Sequence, residues 1–403
     1  MVRKAQRVLV LLGPAFVAAV AYVDPGNFAA NFSAGAKYGF LLLWVLVVAN
    51  LMAMLVQYLS AKVGIVTGKS LPEVVAEKLG RKSRLAYWAQ AELVAISCDI
   101  AEIVGGAIAL NLLFGLPLVI GGLITGIVSL ILLLVYRRGA TKYFERVIMG
   151  LLLIIPIGFI VGLVMKPADP VALAGGLIPR FDGTETILLA TAMLGATIMP
   201  HVVYLHSALA RDRHGKVQKK LISEYLKATR FDVGIAMVLA GSVNIAMLVL
   251  AATALRNLPG TDTLEGIHQA LGTVISPAVA FLFALSLLIS GFVSTSVGSQ
   301  AGAVIMQGLL NKKIHVLIRR LITLTPALFV LAVGIDPTQA LIVSQIGLSF
   351  GVPFALVPLA MITSSKRIMG EHVNVRAVTY AVGGIAAVVS VLNLVLIWLT
   401  IFG

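Results

Sequence analysis

The sequence predicts an all-α polytopic membrane protein built from two inverted halves, and three observations carry that prediction. Apolar residues fill 59% of the 403 positions and charged ones only 12%, a balance whose ordinary explanation over this length is a bundle of membrane-spanning helices. Of the 31 Lys and Arg, 27 fall on alternate connections, and only Lys37, Lys166, Arg180 and Arg256 fall on the others. Two apolar segments in corresponding positions are each interrupted by a stretch containing proline.

Eleven apolar segments are expected: about 8–36, 39–66, 85–114, 116–136, 144–165, 185–210, 231–255, 276–309, 316–334, 338–363 and 376–402. The distribution of cations places the N-terminus inside and the C-terminus outside. It also explains the net charge of +14 without a nucleic-acid face, so no nucleic-acid partner is expected. No cleaved signal peptide is expected before the first segment.

The first segment runs without charge from Val8 to Val23, is interrupted by Asp24-Pro25-Gly26-Asn27, and resumes from Phe28 to Ala36. Proline removes a backbone donor and glycine relaxes φ and ψ, so no helix passes this point undisturbed. Sixteen helical residues rise roughly 24 Å, so the break comes at membrane depth. Unwound backbone there has to face protein or a polar cavity.

Segment two carries Asn50 and Gln57 seven residues apart, on one inward face. The polar loop Lys69 to Arg84 has room for a short interfacial helix around Leu71-Pro72-Glu73. Segment three holds Glu92, Asp99 and Glu102, whose spacings of seven and three put all three carboxyls on one face. Glu92 is placed either near a membrane surface or in the pathway. Asp99 and Glu102 are read as a pathway or proton relay, with a structural ion pair as the alternative, because buried intramembrane acids cost several kcal/mol. Cys98, the single cysteine, reads as a small buried hydrophobe.

Segments four and five read as scaffold, with Pro156 kinking the fifth. The connection rich in Pro167, Pro170, Pro179 and Gly183 divides the chain. Segment six then repeats the break of segment one: Leu188 to Leu194, an interruption over Gly195-Ala196-Thr197-Ile198-Met199-Pro200-His201, and Val202 to Leu209. Five segments per half means that corresponding segments cross in opposite directions, and interrupted helices at matching positions point to an inverted-repeat transporter with its site at the midplane. The expected organisation is a first repeat over 1–166, an external connection over 167–183, a second repeat over 184–364, and an added eleventh segment over 365–403. Asn244 in segment seven, the small-residue run Ser290 to Gly302 in segment eight, and Gln345, Gly347, Ser349 and Gly351 in segment ten complete the polar inventory. The serines read as packing residues, and Gln345 as a pathway candidate.

Asp24 offers a carboxylate, Asn27 an amide oxygen, the breaks the freed carbonyls of Ala21 and Ala196, and Met199 a thioether. An all-oxygen set would suit Mg²⁺ or Ca²⁺, whereas sulfur favours softer ions. The mixture points to Mn²⁺, Fe²⁺ or Cd²⁺. His201 titrates near neutral pH in its free form and suits a proton carrier or gate. His206, about 140° further round the helix, is read as structural.

At these two breaks the sequence resembles the Nramp family of proton-coupled divalent metal transporters. Asp24-Pro25-Gly26-Asn27 is similar to the family's first-helix motif and Met199-Pro200-His201 to its sixth-helix motif, in a chain that matches end to end. Val202 departs from the asparagine that many members carry there. The resemblance implies a LeuT-like fold with a 5+5 inverted repeat and discontinuous helices 1 and 6, and eleven segments suit a prokaryotic member. It implies a metal site of Asp24, Asn27, Met199 and the Ala21 or Ala196 carbonyls, joined by Gln345 in some conformations. It implies a proton pathway through Asp24, His201, Asp99 and Glu102, with Arg319 and Arg320 near its inner end. Met199 argues against the branch of relatives that carries magnesium.

The function expected is import of Mn²⁺ or Fe²⁺, with Cd²⁺, Co²⁺ and Zn²⁺ as further candidates, by proton co-transport and alternating access. The expected location is a prokaryotic plasma (inner) membrane, crossed many times. The partners expected are the lipid bilayer, the divalent metal and protons, with the chain functional as a monomer. No cofactor is expected, the metal being substrate. Two rivals have different chemistry: a sodium-coupled amino-acid or amine symporter of the same architecture, and a channel or non-transporting metal receptor. An enzyme is not expected, since no nucleophile-base pair or hydrolase motif is present.

Overall fold

The computed structural model describes residues 13–137, 141–215, 217–312 and 315–402, and among these every regular element is helical. Residues 8–12 of the first expected segment, and Arg3, Lys4, Arg7, Arg138, Lys216 and Lys313 among the counted cations, lie outside the described residues.

The helices are α1 Pro14–Ala21, α2 Pro25–Tyr38, α3 Leu43–Thr67, α4 Leu71–Ala76, α5 Arg81–Phe114, α6 Leu118–Arg137, α7 Thr141–Met165, α8 Pro170–Gly175 and α9 Gly183–Thr197. They continue as α10 Pro200–His214, α11 Ile222–Ala254, α12 Leu264–Val274, α13 Pro277–Leu310, α14 Val316–Val333, α15 Pro337–Thr363, α16 Lys366–Met369 and α17 Arg376–Phe402. Eight spans among the described residues are long and apolar enough to cross a membrane, with Gly183–His214 taken as one and Leu118–Leu134 a shorter apolar helix. Isoleucine, leucine and valine stand exposed around the bundle, among them Ile127, Ile160, Leu321, Val343 and Leu394. In water this would be an aggregating surface, whereas in a bilayer it is the face that meets lipid.

Both breaks are built the same way. Pro25 and Pro200 each occupy the first position of the following helix, where the missing N–H costs nothing and the fixed φ suits the helix. Asp24 caps α2 by accepting from the Asn27 amide N–H at 2.8 Å. In a continuous helix the carbonyls of Ala21 and Ala196 would accept from the residue four positions on, and in both cases that residue is the proline. Each break therefore releases the carbonyl of an alanine into the protein.

The remaining opened backbone is held by the surrounding helices. Asn244 of α11 donates to the Tyr22 carbonyl at 2.8 Å, and Ser290 of α13 to the Val23 carbonyl at 2.5 Å. Asp232 of α11 accepts from the backbone N–H groups of Gly13 and Ala15 and so caps α1. Beyond the break, Phe28 and Phe32 of α2 pack edge-on or tilted against Phe159 of α7 and Phe283 of α13, with centroids 5.0 to 6.0 Å apart. Such pairs add about 0.5–1.5 kcal/mol each beyond area burial, which fixes α2 to its scaffold.

Candidate metal site

The two breaks meet. The Asn27 side-chain amide donates to Asp24 Oδ1 at 2.7 Å and to the Ala196 carbonyl at 3.1 Å, joining the first break to the second. Gln345 of α15 donates to Asp24 Oδ2 at 3.2 Å. Asp24, Asn27, Ala21, Ala196, Met199 and Gln345 are all buried. Asn27 Oδ1 and Gln345 Oε1 are buried acceptors with no hydrogen-bond partner. Glycine makes this approach possible: a Cβ on Gly26 would lie 1.7 Å from Gln345 Nε2, and one on Gly195 would lie 2.4 Å from the Gln345 carbonyl oxygen. Met199 occupies the N-cap position of α10, directly before Pro200, and makes no side-chain capping bond. The structure thus brings Asp24, Asn27, Ala196 and Gln345 into contact, with Met199 and Ala21 on the adjoining backbone.

Chemically, this is a site of one carboxylate among neutral donors. No group of three or more His, Cys, Asp or Glu side chains able to hold a metal occurs among the described residues. A cation held here would draw on amide and backbone oxygens and on the Met199 sulfur.

The acids of α5 are each engaged. Glu92 pairs with Arg319 of α14 at 3.0 Å, so it meets a helix cation rather than water or a loop. Asp99 pairs with Arg320 at 2.9 Å, and that guanidinium also reaches Ser129 at 2.7 Å and Ser299 at 3.2 Å. Arg319 fits because Gly302 lacks a side chain: a Cβ there would lie 1.5 Å from Arg319 Nη2. Both arginines, counted in the sequence with the inner connection, are buried within α14. The third acid, Glu102, is not ion-paired among the described residues. It accepts from the Cys98 thiol at 3.3 Å, and the same sulfur stands 3.3 Å from His201 Nε2. Cys98 is buried and packs with Val94 and Leu348, as expected of a small hydrophobe, and its sulfur in addition reaches Glu102 and the His201 ring of α10.

His206 contacts Gln57 Oε1 at 2.8 Å, and Gln57 donates to the Tyr22 hydroxyl, which places His206 in a buried polar chain away from His201. Ser290 and Asn244 support the first break, as described above. The sequence reading passed over three residues. Asp232 was signalled only as an acid inside an apolar segment. Ser129 was embedded in a segment read as scaffold. Asn393 of α17 takes part in two hydrogen bonds with Ser349, at 2.6 and 2.9 Å, and the Ser349 Cβ faces Gly195. The last helix is thereby tied to the wall of the second break.

The family model described as "Natural resistance-associated macrophage protein-like" (Nramp) matches residues 15–399. A divalent metal cation transporter MntH of Mycobacterium tuberculosis is 56% identical over 397 residues, covering 98% of this chain and 92% of the relative. Among solved structures, the Eremococcus coleocola manganese transporter is similar with a TM-score of 0.87 at 30% identity, covering 97% of this chain and 86% of that one. Mhp1, a nucleobase-cation-symport-1 family transporter, superimposes with a TM-score of 0.62 at 14% identity over 87% of this chain and 77% of its own, a likeness of fold alone.

Proposed function

The chain belongs to the Nramp family and has a LeuT-like, all-helical membrane fold, and on that premise we propose that it imports divalent transition-metal ions together with protons by alternating access. Mn²⁺ and Fe²⁺ are the principal cargo, with Cd²⁺, Co²⁺ and Zn²⁺ as further substrates. The metal is cargo, and no resident cofactor takes part. The chain works as a monomer in a prokaryotic plasma membrane, crossing it eleven times with the N-terminus inside. Its halves, 1–166 and 184–364, form the inverted repeat around the external connection 167–183, with 365–403 added.

One observation carries this reading: the Asn27 amide holds a carboxylate oxygen of one break and a backbone carbonyl of the other at a single buried point. A cation at that point would gain both oxygens, the free amide oxygens of Asn27 and Gln345, the Ala21 carbonyl and the Met199 thioether. One formal negative charge against a dication keeps binding reversible, and the sulfur weights it toward softer ions. Because every one of these groups is buried, loading and release require the α1–α2 and α9–α10 pairs to move against the bundle on alternate sides. Membrane potential drives the ion inward by about 2.3 kcal/mol per charge per 100 mV, twice that for a dication.

Metal binding beside Asp24 favours its ionised form, so metal loading and proton release are coupled there. The proton leaves by way of His201, Glu102 and Asp99, with Arg319 and Arg320 shaping the inner end of the route. The test is Mn²⁺ uptake into proteoliposomes with internal pH recorded. Saturable uptake with acidification of the lumen, lost in Asp24→Asn, supports the reading, whereas equal uptake by Asp24→Asn and the native chain contradicts it.

A further inference from the structure

Cys98 is the chain's single cysteine, and its thiol stands between two polar side chains from different helices. Sγ lies 3.3 Å from Glu102 Oε1, one turn further along α5, and 3.3 Å from His201 Nε2 on α10. A thiol is a weak donor and a weak acceptor at once, so one small side chain serves both neighbours. Those neighbours have little else to hold them: Glu102 Oε2 and His201 Nδ1 are buried without a hydrogen-bond partner. Gly298 of α13 leaves the carboxyl its space, since a Cβ there would lie 2.9 Å from Glu102 Oε2. Alanine or valine at position 98 would pack in the same place and orient neither group.

We propose that Cys98 is a positioning residue for proton movement through Glu102, its thiol tying the Glu102 carboxyl to the helix after the second break by way of the contact with the His201 ring. The inference rests on the reading of the chain as a proton-coupled metal carrier. It concerns a side chain outside the metal site, and its effect falls on protons moved per metal ion and not on metal affinity.

The full chain is reconstituted in proteoliposomes as the native protein and as Cys98→Ala, Cys98→Val and Cys98→Ser, with Mn²⁺ uptake and internal pH followed together. Alanine and valine should lower protons moved per Mn²⁺ about tenfold, the scale of one buried hydrogen bond, with the KM for Mn²⁺ within about twofold of native. Serine, which restores a donor and an acceptor, should recover most of the flux. Infrared spectroscopy gives an arm independent of transport, because the S–H stretching band of this protein belongs to one residue. That band should move to higher frequency in Glu102→Gln, where the acceptor is weakened. Native proton flux in both Cys98→Ala and Cys98→Val, or a thiol band unmoved by Glu102→Gln, would overturn the proposal. Absence of Mn²⁺ uptake by the native chain would instead overturn the transport reading on which it rests.

Discussion

Gln345 donates its side-chain amide to Asp24 Oδ2 across 3.2 Å, although 321 positions separate the two residues in sequence. The contact closes one side of the meeting point of the two breaks. It depends on the glycine that follows Asp24 and Pro25, since a Cβ on Gly26 would stand 1.7 Å from the same nitrogen.

Gly26→Ala should therefore displace Gln345 and reduce Mn²⁺ uptake at least about tenfold, through steric exclusion at a closely packed site. The atoms struck are the end of a flexible side chain, so Gly26→Ala combined with Gln345→Ala should transport better than Gly26→Ala alone. Uptake rates of the two singles and the double form a double-mutant cycle. Strictly additive losses would show that the glycine is required for some other reason.

Asp99 and Arg320 form a buried ion pair at 2.9 Å, supported by Ser129 and Ser299. Removing one partner leaves an uncompensated charge, at a cost of about 3–5 kcal/mol. Arg320→Met should lower the midpoint of thermal unfolding in lipid nanodiscs more than the double variant Asp99→Asn/Arg320→Met does. Asp99→Asn should also abolish pH-stimulated proton flux, and unchanged flux in that variant would remove Asp99 from the route.

In the connection between α3 and α5, α4 buries Leu71, Val74 and Val75 in the core and is latched to α10. Glu73 accepts from the Ser70 backbone at 2.6 Å and its hydroxyl at 2.7 Å, and pairs with Arg211, while the Leu71 N–H donates to Ser207 at 2.7 Å. Burial pushes the Glu73 carboxyl up, but the bonds from Ser70 and the Arg211 charge outweigh it, so it titrates below the ordinary 4.5. A depressed carboxyl contributes stability that is complete above the ordinary value and is lost as pH falls through the lowered one. Glu73→Gln should thus lower the free energy of unfolding at pH 6 to 7, by less than about 1 kcal/mol after allowance for partial exposure. The difference from native should begin to shrink below the ordinary 4.5 and vanish once the pH is under the lowered value. A difference that persists at acid pH would assign the effect to packing.

The breaks were legible in the sequence because Pro25 with Gly26, and Pro200 after Gly195, announce themselves through backbone chemistry that acts locally. The three acids of α5 were legible through helical spacing. The resemblance set Arg319 and Arg320 near the inner end of the same route, but which acid each meets was not legible: both adjoin a cluster of loop cations, and the packing of α14 against α5 turns them toward Glu92 and Asp99. Cys98 carried no spacing signal, since its partners are a residue one turn away and a histidine 103 positions on. Asp232, although an acid in an apolar segment, and Asn393 gave no sign of their partners, because what each holds, the start of α1 and Ser349, is set by tertiary contact. Local chemistry located the two breaks, and the contacts that join them came from helix packing.

In the proposed metal site, Met199 together with the oxygens of the two breaks favours transition-metal ions over the harder Mg²⁺ and Ca²⁺. Competition of Mg²⁺ or Ca²⁺ against Mn²⁺ uptake in native and Met199→Ala proteoliposomes, with internal pH recorded, tests it most directly. The native chain should show saturable Mn²⁺ uptake with acidification and little competition from Mg²⁺, and Met199→Ala should lose that discrimination. Unchanged discrimination in the variant would contradict the role of the sulfur, and the failure of any divalent ion to enter with the native chain would contradict metal transport itself.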